Sequence, residues 1–440
     1  MGNHAVHMWM AYDLNETNIF ENGFVQEFQH AQTDLTLNGG PNAPVPTFSD
    51  ATGVGGLIPL PIFEAAFGGS GAAAGASNQL ASFTNPTFIA LLQQGQAGAL
   101  ANQLATQAGG TFLCNMVGNS LSPCAGLGLS GSGKYPINFF QLNPFAAGTY
   151  AELLSNPGSS SYNSLQVQVK HQTRHGLMMI ANYTWSHAFT NRYLGDYDTA
   201  DYAQTNFVTL RNRNLSRGPG PYDLRNVFRT FLTYELPFGS GHSWRTTSPA
   251  LNRVIGGWTA GGIVTAQSGR NFKLQSGYDT YNYSNAYWPD ASDSGVVLNG
   301  ITQSQLQSKV GKYTGPNPSE PLVFLPPSLL TTSGSANPSF ISPPSTPGQL
   351  GQFIYLTGPM LFNTDLSIIK SIPITERVKF NIYAEFLNAF NHADWYVLDS
   401  YSFKAVNSPA NYANITSPTF PALTEANNPR NIQFRLQVAF

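Results

Sequence analysis

The sequence predicts an all-β membrane protein: an antiparallel transmembrane β-barrel wall of about eight strands, with long outer loops that carry short helices. Three observations predict it. Stretches of about ten residues repeat with the two-residue polarity period of a strand, and the last of them, NIQFRLQVAF, ends the chain on an aromatic residue. Charged residues make up 10% of the chain, against about 25% in an ordinary soluble domain. Links between the strand-like stretches alternate between short and long.

Composition narrows the class further. Aromatic residues reach 12% and mean hydropathy is −0.16, so the missing charge is replaced by Gly, Asn, Gln, Ser and Thr rather than by grease. That suits a wall with one wet, mostly uncharged face. No run of about 20 apolar residues is present, which excludes a helical span. A net charge of −2 without a Lys/Arg cluster excludes a nucleic-acid binder. The start, MGNHAVHMWM, lacks a basic segment followed by an apolar core, so no secretory signal is legible; the expectation is either a protein that is not exported or the downstream piece of a longer chain.

The first element, residues 1–14, reads as a barrel strand. Val6, Met8, Met10, Tyr12 and Leu14 fall on one face, with His7, Trp9 and Asp13 between them. Residues 15–161 read as one large outer loop region. Within it, Phe20, Phe24, Val25, Phe28, Ala31 and Leu35 follow helical spacing until Asn38 and two glycines stop them. A second short helix is predicted over 85–105, entered through Asn85 and Pro86. Gly/Ala/Ser tracts surround both. Cys114 and Cys124 bracket a loop rich in Gly, Asn, Ser and Pro, which reads as a small disulfide in an oxidising compartment, with unpaired thiols as the alternative.

Residues 162–440 read as the remaining strands. YNSLQVQVK sets Leu165, Val167 and Val169 against Gln166, Gln168 and Lys170, and LMMIANYTWSHAF returns with Met179, Ala181, Tyr183 and Trp185 on one face. RNVFRTFLTYEL places Phe228, Leu232 and Tyr234 opposite Arg225, Arg229 and Glu235. GGWTAGGIVTAQSG follows, then NTDLSIIKSI, then VKFNIYAEFLNAF, in which Phe380, Ile382, Ala384, Phe386 and Phe390 oppose Lys379, Tyr383 and Glu385. In the final strand Ile432, Phe434, Leu436, Val438 and Phe440 oppose Gln433, Arg435 and Gln437.

The connections 171–176, 237–255 and 373–377 are brief, whereas 15–161, 190–223, 269–362 and 391–430 are long. Short turns on the periplasmic side and long loops outside are the pattern of outer-membrane barrels. Tyr183, Trp185, Trp258, Phe386 and Phe390 fall toward strand ends on the apolar face, where aromatic girdles belong. Arg225, Arg229, Glu235, Lys379, Glu385 and Arg435 fall on the expected inward face, where charge meets water; they hydrate the wall or contact a plug or a solute.

No catalytic set, cofactor site or metal site stands out, and the expectation is a protein that is not an enzyme. His171, His175 and His187 read as bystanders. The carboxylates of DYDTADY, 196–202, lack the glycine and closing Glu of a calcium loop and read as a solvated loop. The aromatic run YDTYNYSNAYW, 278–288, reads as loop packing before solute stacking. The acceptor patterns NYT, NLS, NYS and NIT carry no weight in an exported bacterial chain.

The ordered succession DLNETNIFENGFVQEFQHAQ, YNSLQVQVKHQTRHGLMMIANYTWSHAF, PYDLRNVFRTFLTYELPFG, VIGGWTAGGIVTAQSG and FNTDLSIIKSIPITERVKFNIYAEFLNAFNHADW, closed by the Phe-ended strand, resembles the carboxy-terminal portion of Oar-like TonB-dependent outer-membrane receptors. The resemblance implies placement in the cell outer membrane, a barrel of about 22 strands, a plug domain and energised uptake of a solute through the TonB system. Phe440 resembles the terminal residue read by the barrel-assembly machinery. No stretch resembles a plug or a TonB box, so this reading treats the chain as a fragment in contact with membrane lipid and lacking its own plug. A surface structural or adhesive barrel is the alternative, and a secreted β-protein a third reading.

Overall fold

In the computed structural model, which describes residues 2–39, 43, 46–68, 82–106, 111–117, 124, 133–144, 152–191, 207–220, 222–239, 242–244, 246–283, 293–318, 322–375, 377–398, 412–417, 419–425 and 429–440, eight long strands form one antiparallel sheet. They are β1 (Gly2–Asp13), β2 (Glu152–Gln172), β3 (Leu177–Thr190), β4 (Asn226–Glu235), β5 (Trp258–Gln267), β6 (Leu361–Pro373), β7 (Lys379–Leu387) and β8 (Asn431–Ala439). Each pairs with the next in sequence, as in an up-and-down barrel wall. The sheet is open: among the described residues β1 and β8 each have one long-strand partner.

The register explains the two faces. Trp185 lies opposite Leu165, Tyr183 opposite Val167 and Phe228, Leu232 opposite Gly262, Gly262 opposite Leu366, and Leu366 opposite Phe386, which meets Ile432. Paired residues share a side, so these form one continuous apolar face. Their exposure is high, with Phe434 75% and Leu436 66% accessible, because no protein covers that face. Strands of nine or ten residues such as β4, β5, β7 and β8 match the length a tilted strand needs to cross hydrocarbon. Tyr234, Trp258 and Phe380 mark the inner end of this face, Tyr183, Trp185 and Phe228 the outer end.

Four details depart from the pattern read in sequence. In β1, His4 and Val6 pair with Tyr162 and Ser160 on the inward side, where Val6 is 52% exposed, and Tyr12 is buried against Phe207 at a ring separation of 5.4 Å, so Tyr12 serves packing, not lipid. β2 begins ten residues before 162, because Ser159 to Ser161 hold their places by ladder hydrogen bonds to β1 without any polarity alternation; a register shift opposite Met8–Met10 marks the junction. The helix predicted over 85–105 is two helices, broken at Gly95, whose φ of 73° and approach to the Ser345 carbonyl leave no room for a Cβ. β7 stops at Leu387: Asn388 and Asn391 take positive φ, and Phe390 sits in the turn beyond the strand.

The outer links build two lobes. One contains α1 (Phe24–Leu37), α2 (Pro61–Phe67), α3 (Pro86–Gln93), α4 (Ala97–Thr106) and α5 (Thr111–Val117). α1 starts after Gly23 and ends at Asn38, whose amide reaches the Thr47 and Ser49 carbonyls; the Asn85 side chain caps α3 by accepting from the Thr87 and Phe88 N–H groups. Phe24, Phe28, Phe48, Phe63, Phe67 and Phe83 make its core, largely through edge-on ring pairs. Cys114 is joined to Cys124. The second lobe combines residues from 268–360 and 388–430 around Phe272, Leu274, Phe324, Leu356 and Phe420. On the inner side, the link after β4 carries α6 (Pro249–Ile255), whose terminal carbonyls at Val254 and Gly256 receive the Lys370 ammonium.

Candidate functional site

Two concave regions lie on opposite sides of the wall. The inward face carries the polar row. Arg229 stands between Asn182 and Thr265, Glu385 between Ser367 and Gln433, and Arg435 opposite Tyr383, its guanidinium 4.0 Å from the ring centre. Glu235 and Lys379 lie on the same side near the inner rim. Bonds such as Gln168 to Asn182 (2.8 Å), Ser371 to Asn381 (2.7 Å) and Tyr383 to Gln437 (2.9 Å) tie neighbouring strands across this face. At its outer end a cavity of about 590 Å³ is lined by Asn363, Asp365, Asn388, Arg430 and Asn431. Asp365 accepts the Asn388 N–H at 2.9 Å, holding the turn after β7. Sequence reasoning named neither Asp365 nor Arg430 as a site residue.

It also missed an interruption of the polar row. Ile180 pairs with Phe231, and Phe231 with Ile263, so three neighbouring strands place apolar side chains side by side on the wet face. Phe231 is 46% and Ile263 39% exposed. The only sequence signal is a break in alternation within β3, β4 and β5.

Arg225 is not part of the inward row. It precedes β4, and its Nη2 donates to His187 Nε2 at 2.8 Å while Nε lies 3.5 Å from Asp223 Oδ2. His187 donates through Nδ1 to the same carboxylate at 2.9 Å, so the ring carries its proton on Nδ1. Asp223 is fully buried; it also accepts the Ala188 N–H and the Asn271 amide. His187 is a joint between a strand end and a loop. Beside it opens a cavity of about 920 Å³, walled by Phe189, Arg217, Arg225, Gln303, Phe353 and Tyr355 among others. Burial pushes the Tyr355 phenol up to about 12, so it stays protonated in the physiological range.

Three outer links meet at Glu16. Its carboxylate accepts from the Thr209 hydroxyl (2.7 Å) and the Leu210 N–H and pairs with Arg211 at 3.1 Å; Arg211 also holds Glu21 at 2.6 Å. Burial raises the Glu16 pKa against the lowering effect of those donors. Of the aromatic run at 278–288, Tyr281 packs on Phe20 at 4.8 Å and the Tyr283 N–H donates to Thr17, so the described part, 278–283, ties loops together. Residues 284–288 and the carboxylates of 196–202 lie outside the described residues.

A meander of antiparallel strands with one continuous apolar face, a polar reverse face and folded lobes at one end defines an integral β-barrel protein of an outer membrane. The family comparison names it more closely: the model described as "Outer membrane beta barrel domain" matches residues 94–433, and the chain belongs to that family. Its place is the cell outer membrane. No curated protein matches the chain.

Proposed function

We propose that the chain forms the wall and outer loops of a TonB-dependent receptor of the Oar-like type, a transporter and not an enzyme, within a barrel of about 22 strands. The observation that carries this reading is the apolar patch of Ile180, Phe231 and Ile263 on the inward face. In a water-filled pore such a patch has no partner, whereas a plug domain seated in the lumen buries it. Arg229, Glu235, Lys379, Glu385 and Arg435 then hydrogen-bond the plug or the passing solute, and the TonB system acts on the plug. Phe440, 95% exposed beyond β8, is the residue offered to the barrel-assembly machinery.

The test uses cells producing the receptor with its plug. Replacing Phe231 and Ile263 by Asp unseats the plug, so sensitivity to a large glycopeptide antibiotic rises while the barrel remains heat-modifiable on gels. Unchanged sensitivity in a correctly inserted variant counts against a seated plug. Uptake that persists without TonB counts against energised transport and in favour of an adhesive or structural barrel.

A further inference from the structure

We infer that the cavity beside His187 is a docking site for the phosphate headgroup of an outer-leaflet lipid. The sheet register fixes which side of the wall it is on. His187 pairs with Asn163 and Phe189 with Ser161, continuing the row of Tyr183 and Trp185 on the hydrocarbon-facing side. His187 lies two residues beyond Trp185, about 7 Å farther out at the usual strand rise. A headgroup layer is about 5–7 Å deep on each side of the hydrocarbon. The cavity therefore opens on the outside of the wall at headgroup depth, where a solute destined for the lumen has no path.

Its chemistry fits a phosphate. Arg217 donates to Ser161 Oγ at 3.0 Å and Ser159 Oγ at 3.4 Å and lies over the Phe189 ring, with no carboxylate in ion-pair range among the described residues. Arg225 uses Nε and Nη2 on Asp223 and His187, and Nη1 bonds nothing among the described residues. Among the described residues one buried carboxylate, Asp223, offsets one of the two guanidiniums, so the described lining keeps one net positive charge. No described carboxylate lines the cavity. Guanidiniums recognise phosphate oxygens through forked N–H donors, and Gln303 and Ser304 add neutral polar groups to the lining. The inference requires only an outer-membrane barrel and stands apart from the solute and the TonB coupling.

The detergent-solubilised full chain is titrated with dioctanoyl phosphatidic acid, with dioctanoyl phosphatidylcholine and inorganic phosphate as comparators, and bound lipid is read by native mass spectrometry. Phosphatidic acid is expected to bind at least about tenfold tighter than phosphatidylcholine, a difference of about 1.4 kcal/mol. Arg217→Gln removes that preference, and Arg253→Gln on α6 leaves it intact. Should Arg217→Gln lose its heat-modifiable band, Ser161→Asp, which sets a carboxylate beside the intact guanidinium, carries the same expectation. Equal binding of phosphatidic acid by wild type and by Arg217→Gln or Ser161→Asp overturns the site. Displacement of the lipid by equimolar inorganic phosphate overturns the membrane source.

Discussion

Adjacent residues on β6 provide a direct test of the two-faced wall. Ser367, the central residue of a strand spanning Leu361–Pro373, and Ile368, the next, lie at nearly the same depth but on opposite sides. Ile368 shares the apolar face with Ala260 and Ala384, whereas Ser367 meets Gly261 and Glu385. An arginine at the lipid-facing midplane of a barrel costs about 2–4 kcal/mol. Ile368→Arg should lose that amount, because no carboxylate lies on that face beside it. Ser367→Arg points a guanidinium into water next to Glu385 and should change stability by less than about 0.5 kcal/mol. Denaturant titration of the chain folded into phosphatidylcholine vesicles, followed by tryptophan fluorescence, measures both. Phe362→Arg, six residues up the same face near the outer rim, should fall to about 0–1 kcal/mol. Equal losses at 367 and 368 would refute the facial assignment, and equal losses at 362 and 368 would refute the depth.

Other outcomes follow from the lobes and the terminus. Glu27 accepts the Ile62 N–H at 2.6 Å and the Phe63 N–H at 2.8 Å inside the helical lobe, and burial, with Glu64 and Asp50 nearby, raises its pKa to about 7. A raised carboxyl pKa means the folded lobe binds the proton more tightly than the unfolded chain; the added stability is complete below the ordinary carboxyl value and is lost as pH rises through about 7. Thermal scans between pH 4.5 and 8 should show that decline, and Glu27→Gln should flatten it. Replacing Cys114 and Cys124 by Ser opens a short loop and should cost the lobe about 2–3 kcal/mol by chain entropy, visible as increased proteolysis there with the wall still heat-modifiable. Phe440→Ser should leave the folded sheet intact yet reduce the fraction reaching the outer membrane several-fold, measured by membrane fractionation; unchanged delivery removes the assembly role of that residue.

Much of the wall was legible in the sequence because lipid on one side and water on the other impose a strict period of two. Where something else supplies the burial, the period misleads. Val6 and Tyr12 kept alternation, but the Phe207 ring of the 190–223 link and not hydrocarbon receives Tyr12, and the register turns Val6 to the inward side. Ser159 to Ser161 show no alternation at all, yet pair through their backbones. Ile180, Phe231 and Ile263 each break the alternation of a single strand, and only the register sets them side by side. Arg225 was assigned by counting outward from β4; the chain leaves regular pairing there, and the guanidinium turns to His187 instead. The joint at Glu16 unites residues nearly two hundred positions apart, beyond any local periodicity.

The outer lobes assemble their own phenylalanine and leucine interiors, apart from the sheet beneath them. A connection that folds largely upon itself behaves as a cassette: its tip can be rewritten or lengthened without disturbing the strand ladder below it. Anchorage is thereby separated from the surface that the loops present, and that surface can vary on an unchanged wall.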